Sequence, residues 1–276
     1  MPLIIVPTPV GNLEDITLRA LRVLRQADLI ACEDTRRTRK LLDRYGMSTP
    51  MVSCYAHNES KRAAMILEKL REGLTVALVS DAGTPCIADP GMIILQQALL
   101  EGVEVDVLPG PVAFVPALLL SGMTPAPFVF EGFLPPKKGA RAKRLEELSK
   151  FRGRFVVYVP PHDLKGVLVE VSTACPGRQA AVVREISKIH QEAIRGTLED
   201  LAADSRMGTL RGEMVLVVGE PGEEDPGDEW MDEAARLDES GSSMREVVKR
   251  ITEGYGIPKN SVKRFLLEAR REEPDA

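Results

Sequence analysis

Short apolar runs alternate with amphipathic stretches through the first half of the chain. Residues 3–6, 28–32 and 74–79 are almost entirely Leu, Ile, Val, Ala and Cys, the composition of strands buried on both faces of a parallel sheet. Between them, residues 16–26 repeat Leu18, Leu21 and Leu24 at helical spacing, residues 34–45 form a basic helix closed by Gly46, and Asn58 opens a helix that runs to Arg71. A further helix is predicted over 91–100, ending at Gly102, followed by a strand over 103–108. Residues 112–120 are nearly all apolar and predict a helix buried between layers. Strand and helix in alternation predict an α/β fold with a parallel sheet.

The rhythm changes at 121–127, where Gly122, Pro125 and Pro127 mark a boundary. Beyond it, strands are predicted at 128–133, 154–159, 179–186 and 213–219, with helices near 141–150, 163–173 and 198–204. Residues 221–228 are rich in Pro, Gly and acid and read as a linker. Two helices follow, from Ser242 to 252 and over 261–270, separated by Gly254-Tyr255-Gly256-Ile257-Pro258. The organisation expected is an N-terminal α/β domain (1–121), a C-terminal α/β domain (122–222), an acidic linker (223–240) and a basic helical tail (241–276).

A chain of 276 residues, 44% apolar and 28% charged, is long enough for one or two soluble domains with real cores. No basic leader precedes the short apolar run at 3–6, and no stretch approaches membrane-spanning length, so a cytoplasmic protein without a membrane partner is expected. Cys32, Cys54, Cys86 and Cys175 lie far apart, as do His57, His162 and His190, which supports neither a metal site nor a disulfide framework.

The net charge of −5 argues against a nucleic-acid partner until its distribution is read. Residues 223–239 hold nine carboxylates against Arg236 alone, whereas 137–154 hold eight Lys and Arg against Glu146 and Glu147. The helix over 34–45 carries Arg36, Arg37, Arg39, Lys40 and Arg44, and 245–271 carries eight cations against three acids. Any one such run suits a solvated helix face; three together point to a polyanion such as RNA.

Neither a Gly-x-Gly-x-x-Gly turn at a strand end nor a Gly-Lys-Ser/Thr loop occurs, which disfavours dinucleotide dehydrogenases and P-loop enzymes. Instead, three strands end in proline-bearing loops: Thr8-Pro9-Val10-Gly11-Asn12, the stretch from Ser80 through Asp81-Ala82-Gly83-Thr84-Pro85-Cys86 to Asp89-Pro90-Gly91, and Pro109-Gly110-Pro111-Val112. Delivered to one sheet edge, they form a cleft of backbone donors and acceptors suited to a small polar cofactor.

These loops, with Glu33-Asp34-Thr35-Arg36, the segment from Arg184 to Glu192 and the strand from Gly212 to Val217, resemble the tetrapyrrole methylase superfamily, and within it the ribosomal RNA methyltransferase branch. The resemblance covers nearly the whole chain. It implies two α/β domains with S-adenosylmethionine in a cleft between them, a homodimer, and transfer of a methyl group to the 2'-hydroxyl of a decoding-centre cytidine in 16S rRNA. Cys86 and Ala88 depart from the Gly and Ser that the resemblance leads one to expect.

On this basis Thr8, Pro9, Gly11, Asp81, Ala82, Gly83, Thr84, Asp89, Pro109, Gly110, Pro111 and Val112 are expected to enclose the cofactor. Arg36, Arg37, Arg39, Lys137, Lys138 and Arg141 are expected to guide RNA. Methyl transfer from a sulfonium needs in-line positioning and no metal. A ribose hydroxyl is weakly acidic, so the enzyme must remove its proton or strip its water as it attacks, and a carboxylate, Lys or His near the cleft could help; Glu33, Asp34 and Lys188 are the catalytic candidates, with His190 beside them. Two rival readings are a methyltransferase acting on a tetrapyrrole and a ribosome-binding factor without catalysis.

Overall fold

The computed structural model describes residues 2–125, 127–222 and 229–272, with the side chains of 270–272 outside the description. The chain clusters into two compact units, Met1–Glu220 and Pro221–Ala276; the division expected at residue 121 lies within the first.

The first unit contains two five-stranded sheets. The first is wholly parallel and is built from β1 (Leu3–Ile5), β2 (Leu29–Cys32), β3 (Met51–Ser53), β4 (Val76–Val79) and β5 (Val105–Val107), in the order β3-β2-β4-β1-β5. Its connections are α1 (Leu18–Gln26), α2 (Thr35–Arg44), α3 (Glu59–Arg71) and α4 (Met92–Leu100). Side chains alternate across a strand, so Ile4, Val6, Ile30 and Val79 pack with Leu24 of α1 and Leu42 of α2, while Leu3, Ile5, Ala31 and Leu78 pack with Ile66 of α3 and Ile94 of α4. Burial on both faces is why these strands read as unbroken apolar runs.

The second sheet is mixed, in the order β6-β7-β10-β8-β9: β6 (Phe128–Phe133), β7 (Arg154–Val159), β8 (Gln179–Arg184), β9 (Glu192–Thr197) and β10 (Met214–Val218). Only β6 and β7 run parallel. One face packs Phe155, Val157, Val182 and Leu216 against α6 (Lys138–Ser149), α7 (Leu164–Ala174) and α8 (Leu198–Ala203). The other packs Val156, Ala181, Val183 and Val217 against Ala117 and Leu118 of α5 (Phe114–Leu120), the buried apolar helix expected from the sequence. Thus α5 carries the chain from one sheet onto the face of the other.

Two strands escape the sequence pattern. β3 has only three residues, and β9, Glu-Ala-Ile-Arg-Gly-Thr, is a partly exposed edge strand with one large apolar side chain.

The second unit is a three-helix cluster of α9 (Glu229–Glu239), α10 (Met244–Tyr255) and α11 (Lys259–Glu272). Part of the stretch expected as an acidic linker is therefore helical over Glu229–Glu239, and its remainder, 223–228, lies outside the described residues. Trp230 and Ala234 are buried with Val247, Val248, Ile251, Val262 and Leu266, and that apolar stripe outweighs the acids on the exposed face.

Candidate active site

Three of the parallel strands, β4, β1 and β5, are neighbours in the first sheet, so the loops at their carboxyl ends meet. The Thr8 and Gly83 backbones exchange two hydrogen bonds, the Thr8 amide donating to the Gly83 carbonyl at 2.8 Å and the Gly83 amide donating back at 2.9 Å. Thr8 Oγ1 donates to the Ser80 carbonyl at 3.2 Å, and Thr84 Oγ1 donates to the Pro111 carbonyl at 2.9 Å. Gly110 lies against Pro7 so closely that a Cβ there would fall 2.3 Å from the proline Cβ. Pro9 is buried within this wall, and Pro109 is exposed on it.

The wall closes one side of a cavity of about 350 Å³. Ala82, Gly83, Thr84, Asp89 and Val112 of the expected cofactor residues line it, together with Tyr158 near the end of β7, Pro160 and Pro161 just after it, and Glu213, Met214 and Val215 at the start of β10. The second set was not singled out from the sequence, because its members sit at ordinary strand ends and reach the cavity only through the packing of the second sheet. Burial pushes the Tyr158 hydroxyl up to about 12, and its ring meets Phe130 and Phe133 edge-on at 4.9 and 5.6 Å between centroids.

Negative charge gathers at this cavity. Burial, then Glu33 and Asp81, push Asp89 up to about 6. Burial and Asp81 likewise raise Glu33, and burial raises Asp81 even though it accepts from the Asp34 amide at 3.0 Å and lies 3.4 Å from Arg37. Carboxylates that raise one another in this way favour a cation between them.

Of the three catalytic candidates, Glu33 alone belongs to this acidic group with its carboxyl available. Asp34 caps α2, accepting from the Arg36 amide at 2.8 Å, and the Arg36 guanidinium at 2.7 Å holds its carboxyl down at about 2; so weak a base is poorly suited to take a hydroxyl proton. Lys188 lies 3.0 Å from Glu185 and 3.2 Å from Glu213. Burial disfavours its charge, but these two acids prevail and keep its ammonium above the ordinary range. Lys188 is thus held between two acids. His190 is exposed.

The loop bearing Lys188 is backbone-strained, with Glu185 at φ 50° and Ser187 at φ 63°, conformations that cost non-glycine residues free energy and collect at functional sites. Two contacts tie it to the loop after β1. Ser187 Oγ donates to the Asp15 carboxylate, and Gly11 packs so tightly that a Cβ would fall 2.2 Å from the Ile186 carbonyl oxygen. Cys86 is a third non-glycine residue in the left-handed region, at φ 66°, which explains why glycine suits that place.

The expected RNA contacts divide. Arg39, Lys137 and Lys138 are exposed, and Arg36 and Arg37 point outward while pairing with Asp34 and Asp81. Arg141 is not an exposed cation: its side chain is 12% exposed, it donates to the Pro135 carbonyl at 2.9 Å, and it lies 3.4 Å from Glu170 and 3.6 Å from Asp163. It ties α6 to α7, a role that a basic run in the sequence conceals.

One further residue escaped the sequence reading. Glu59, 6% exposed, accepts from the amides of Gly91 and Ile93 at 2.9 and 2.8 Å, and so fixes the end of the Ser80–Gly91 loop where α4 begins.

Comparison with known proteins agrees with this architecture. The model of the tetrapyrrole (corrin/porphyrin) methylases matches residues 2–202. A protein of Halalkalibacterium halodurans named ribosomal RNA small subunit methyltransferase I is 38% identical over 267 residues, covering 94% of this chain and 92% of the relative. A protein of Thermotoga maritima with the same name is 43% identical over 216 residues, covering 78% of this chain and 97% of that one. Among solved structures, uroporphyrin-III C-methyl transferase from Thermus thermophilus, complexed with S-adenyl homocysteine, superposes with a TM-score of 0.58 at 18% identity over 80% of this chain and 98% of its own. By the family model and by relatives matched along nearly their whole length, the chain belongs to the tetrapyrrole methylase family.

Proposed function

We propose that this protein transfers the methyl group of S-adenosylmethionine to a ribose 2'-hydroxyl of a decoding-centre cytidine in 16S rRNA. The observation that carries the proposal is the cavity itself. One wall is made of backbone at the ends of β1, β4 and β5, the other of β7 and β10; Asp89 lines it, and Glu33 and Asp81 lie near enough behind the wall to raise the Asp89 carboxyl. The volume of about 350 Å³ lies within the range of small-molecule sites. Its carboxylates suit a ligand that carries a sulfonium and an ammonium, and its apolar lining of Ala82, Val112, Tyr158 and Val215 suits an adenine ring.

S-adenosylmethionine supplies an electrophilic methyl group on a positively charged sulfur. The protein's part is to hold and orient. The interlocked loops around Thr8, Gly83 and Pro111 form a stiff wall, and stiffness of this kind gives the in-line geometry from which most of the rate enhancement is drawn. Asp89 and Asp81 favour positive charge. Glu33, with its carboxyl raised, is the group to accept the hydroxyl proton, since a base works best when its pKa approaches the working pH. Lys188, kept charged by Glu185 and Glu213, orients an anionic group of the acceptor at the rim.

Outside the cavity, Arg36, Arg37, Arg39, Lys137 and Lys138 draw the rRNA phosphates of the small subunit toward the site. The proposal includes a homodimer, supported by Leu99, Leu100 and Leu119, which are left exposed, and action in the cytoplasm, where small subunits are assembled. Among the described residues no helix is long and apolar enough to cross a membrane.

The test is a methyl-transfer assay with tritiated S-adenosylmethionine offered to small ribosomal subunits, free 16S rRNA and a precorrin. Label at a cytidine ribose supports the proposal, label on the precorrin replaces it with the tetrapyrrole reading, and label on none leaves a binding factor.

A further inference from the structure

The second unit lies beyond residues 2–202 matched by the family model, and the Thermotoga maritima relative is covered over 97% of its length while 22% of this chain stays unmatched. Residues 221–276 are therefore an addition to the methylase fold, with a hydrophobic core of their own. Their architecture is specific. α10 opens with a capping box, in which Ser243 and Glu246 satisfy each other's amides, and closes on Gly256 at φ 71°. Buried Ile257 and then Pro258 complete a three-residue turn into α11. Two helices joined by so short a glycine turn, with a third helix packed on both, share the connectivity of the helix-turn-helix motif, whose second helix is the one presented to nucleic acid.

The surface of α11 fits that role. Lys259, Asn260, Lys263 and Arg264 are exposed, while Val262 and Leu266 face the core. At 100° per residue the four polar side chains fall within an arc of about 140°, with no acid among them until Glu268. Among the described residues none of the three cations forms an ion pair with an acid. The acids of the unit are concentrated instead on α9, at Glu229, Asp232, Glu233, Asp238 and Glu239. Exposed cations left without an ion-pair partner on one helix offer a surface to an outside polyanion.

We infer that α11 is an RNA-docking helix which grips the phosphate backbone of a paired rRNA segment through Lys259, Lys263 and Arg264, so that the second unit raises affinity for the acceptor without taking part in methyl transfer. The choice of RNA over other polyanions rests on the function proposed above. Paired RNA is the form expected, because a rigid row of cations on a helix meets a regular backbone through shape and charge, without reading bases.

The full-length protein carrying Lys259→Gln, Lys263→Gln and Arg264→Gln, and a second version with Glu at all three positions, is titrated with a fully paired RNA hairpin over a range of salt concentrations. Expected is an affinity loss of about tenfold or more for the Glu version, a smaller loss for the Gln version, and a salt slope shallower by about 2 to 3, since each phosphate left without its cation lowers the slope by about 0.7–0.9. On small subunits KM rises while kcat holds, and S-adenosylhomocysteine binding by calorimetry is unchanged. An unaltered salt slope in the Gln version, whose helices circular dichroism verifies, overturns the inference, as does a fall in kcat with KM unchanged. Failure of the parent protein to bind S-adenosylhomocysteine would instead sink the methyltransferase reading and leave the hairpin measurement standing.

Discussion

Glu59 gives the sharpest handle on the cofactor loop, although it lies 22 residues before the first expected cofactor residue of that loop, Asp81. It is almost fully buried, and one of its oxygens receives both the Gly91 and Ile93 amides. Replacing it with Ala leaves two amides at the start of α4 without their acceptor and removes negative charge from a helix N-terminus. Hydrogen bonds to a charged group contribute about 1.5–3 kcal/mol each. The two share one oxygen and are not additive, so the loss expected is about 3 kcal/mol. For a unit of this size that lowers Tm by about 6–12 °C. Glu59→Gln keeps an oxygen in place and forfeits mainly the charge, about 1 kcal/mol, or about 2–4 °C. Thermal melts followed by circular dichroism measure both. The second readout is calorimetric: because Gly91 follows Asp89 and Pro90 directly, the Ala variant loosens the acidic wall and weakens S-adenosylhomocysteine about tenfold. Equal shifts for Ala and Gln, or an Ala variant that melts like the parent, would refute the assignment of Glu59 as the anchor of this loop.

Asp89→Asn carries a pH signature. An acid raised to about 6 in the folded state holds its proton more tightly there than when unfolded, so stability is fullest below the unfolded value and declines as pH rises through about 6; Asn removes that decline, stabilising the protein above pH 6 and not at pH 4, in melts across that range. In the same variant S-adenosylhomocysteine binding, which in the parent strengthens as the carboxylate ionises, loses its rise with pH. Cys86→Val places a β-branched side chain at φ 66° and costs about 2 kcal/mol or more in denaturant melts, whereas Cys86→Gly stays within about 1 kcal/mol of the parent, strain relieved offsetting freedom gained by the unfolded chain. Gly11→Ala forces a methyl into the Ile186 carbonyl and the Lys188 side chain; cofactor binding falls while the melts of Arg36→Ala and Arg39→Ala controls stay at the parent's value.

β1, β2, β4 and β5 of the first sheet, and its three loops, were legible because each of these strands lies in a short apolar run that gives way to a turn rich in Pro, Gly or acid, and because parallel strands deliver such stops to one edge. The remainder of the site was hidden for different reasons. Tyr158 lies near the end of β7 and Glu213 just before β10, and nothing local to them says that this edge of the second sheet closes the cavity. Glu59 lies within a helical pattern as one more acid, and only tertiary packing carries it to Gly91. Arg141 misled because a basic run records charge and not direction; its side chain turns inward to Glu170 and Asp163. α9 was overlooked because its acids dominate the stretch, although Trp230, Ala234 and Leu237 already stand at helical spacing.

The placement of charge explains how one chain of net charge −5 serves a cationic cofactor and a polyanionic acceptor together. Asp89, Asp81 and Glu33 are drawn inward, where low polarity strengthens their pull on a cation and salt screens it little. Those same acids repel phosphate. Arg36 and Arg37, set directly over Asp34 and Asp81, cancel the outward part of that field while leaving guanidinium surface to meet RNA. A negative interior thereby keeps the acceptor backbone at the rim, and only an uncharged group such as a ribose hydroxyl enters without opposing the field. Under the function proposed above, the ribose hydroxyl rather than a phosphate oxygen is the group such a field admits.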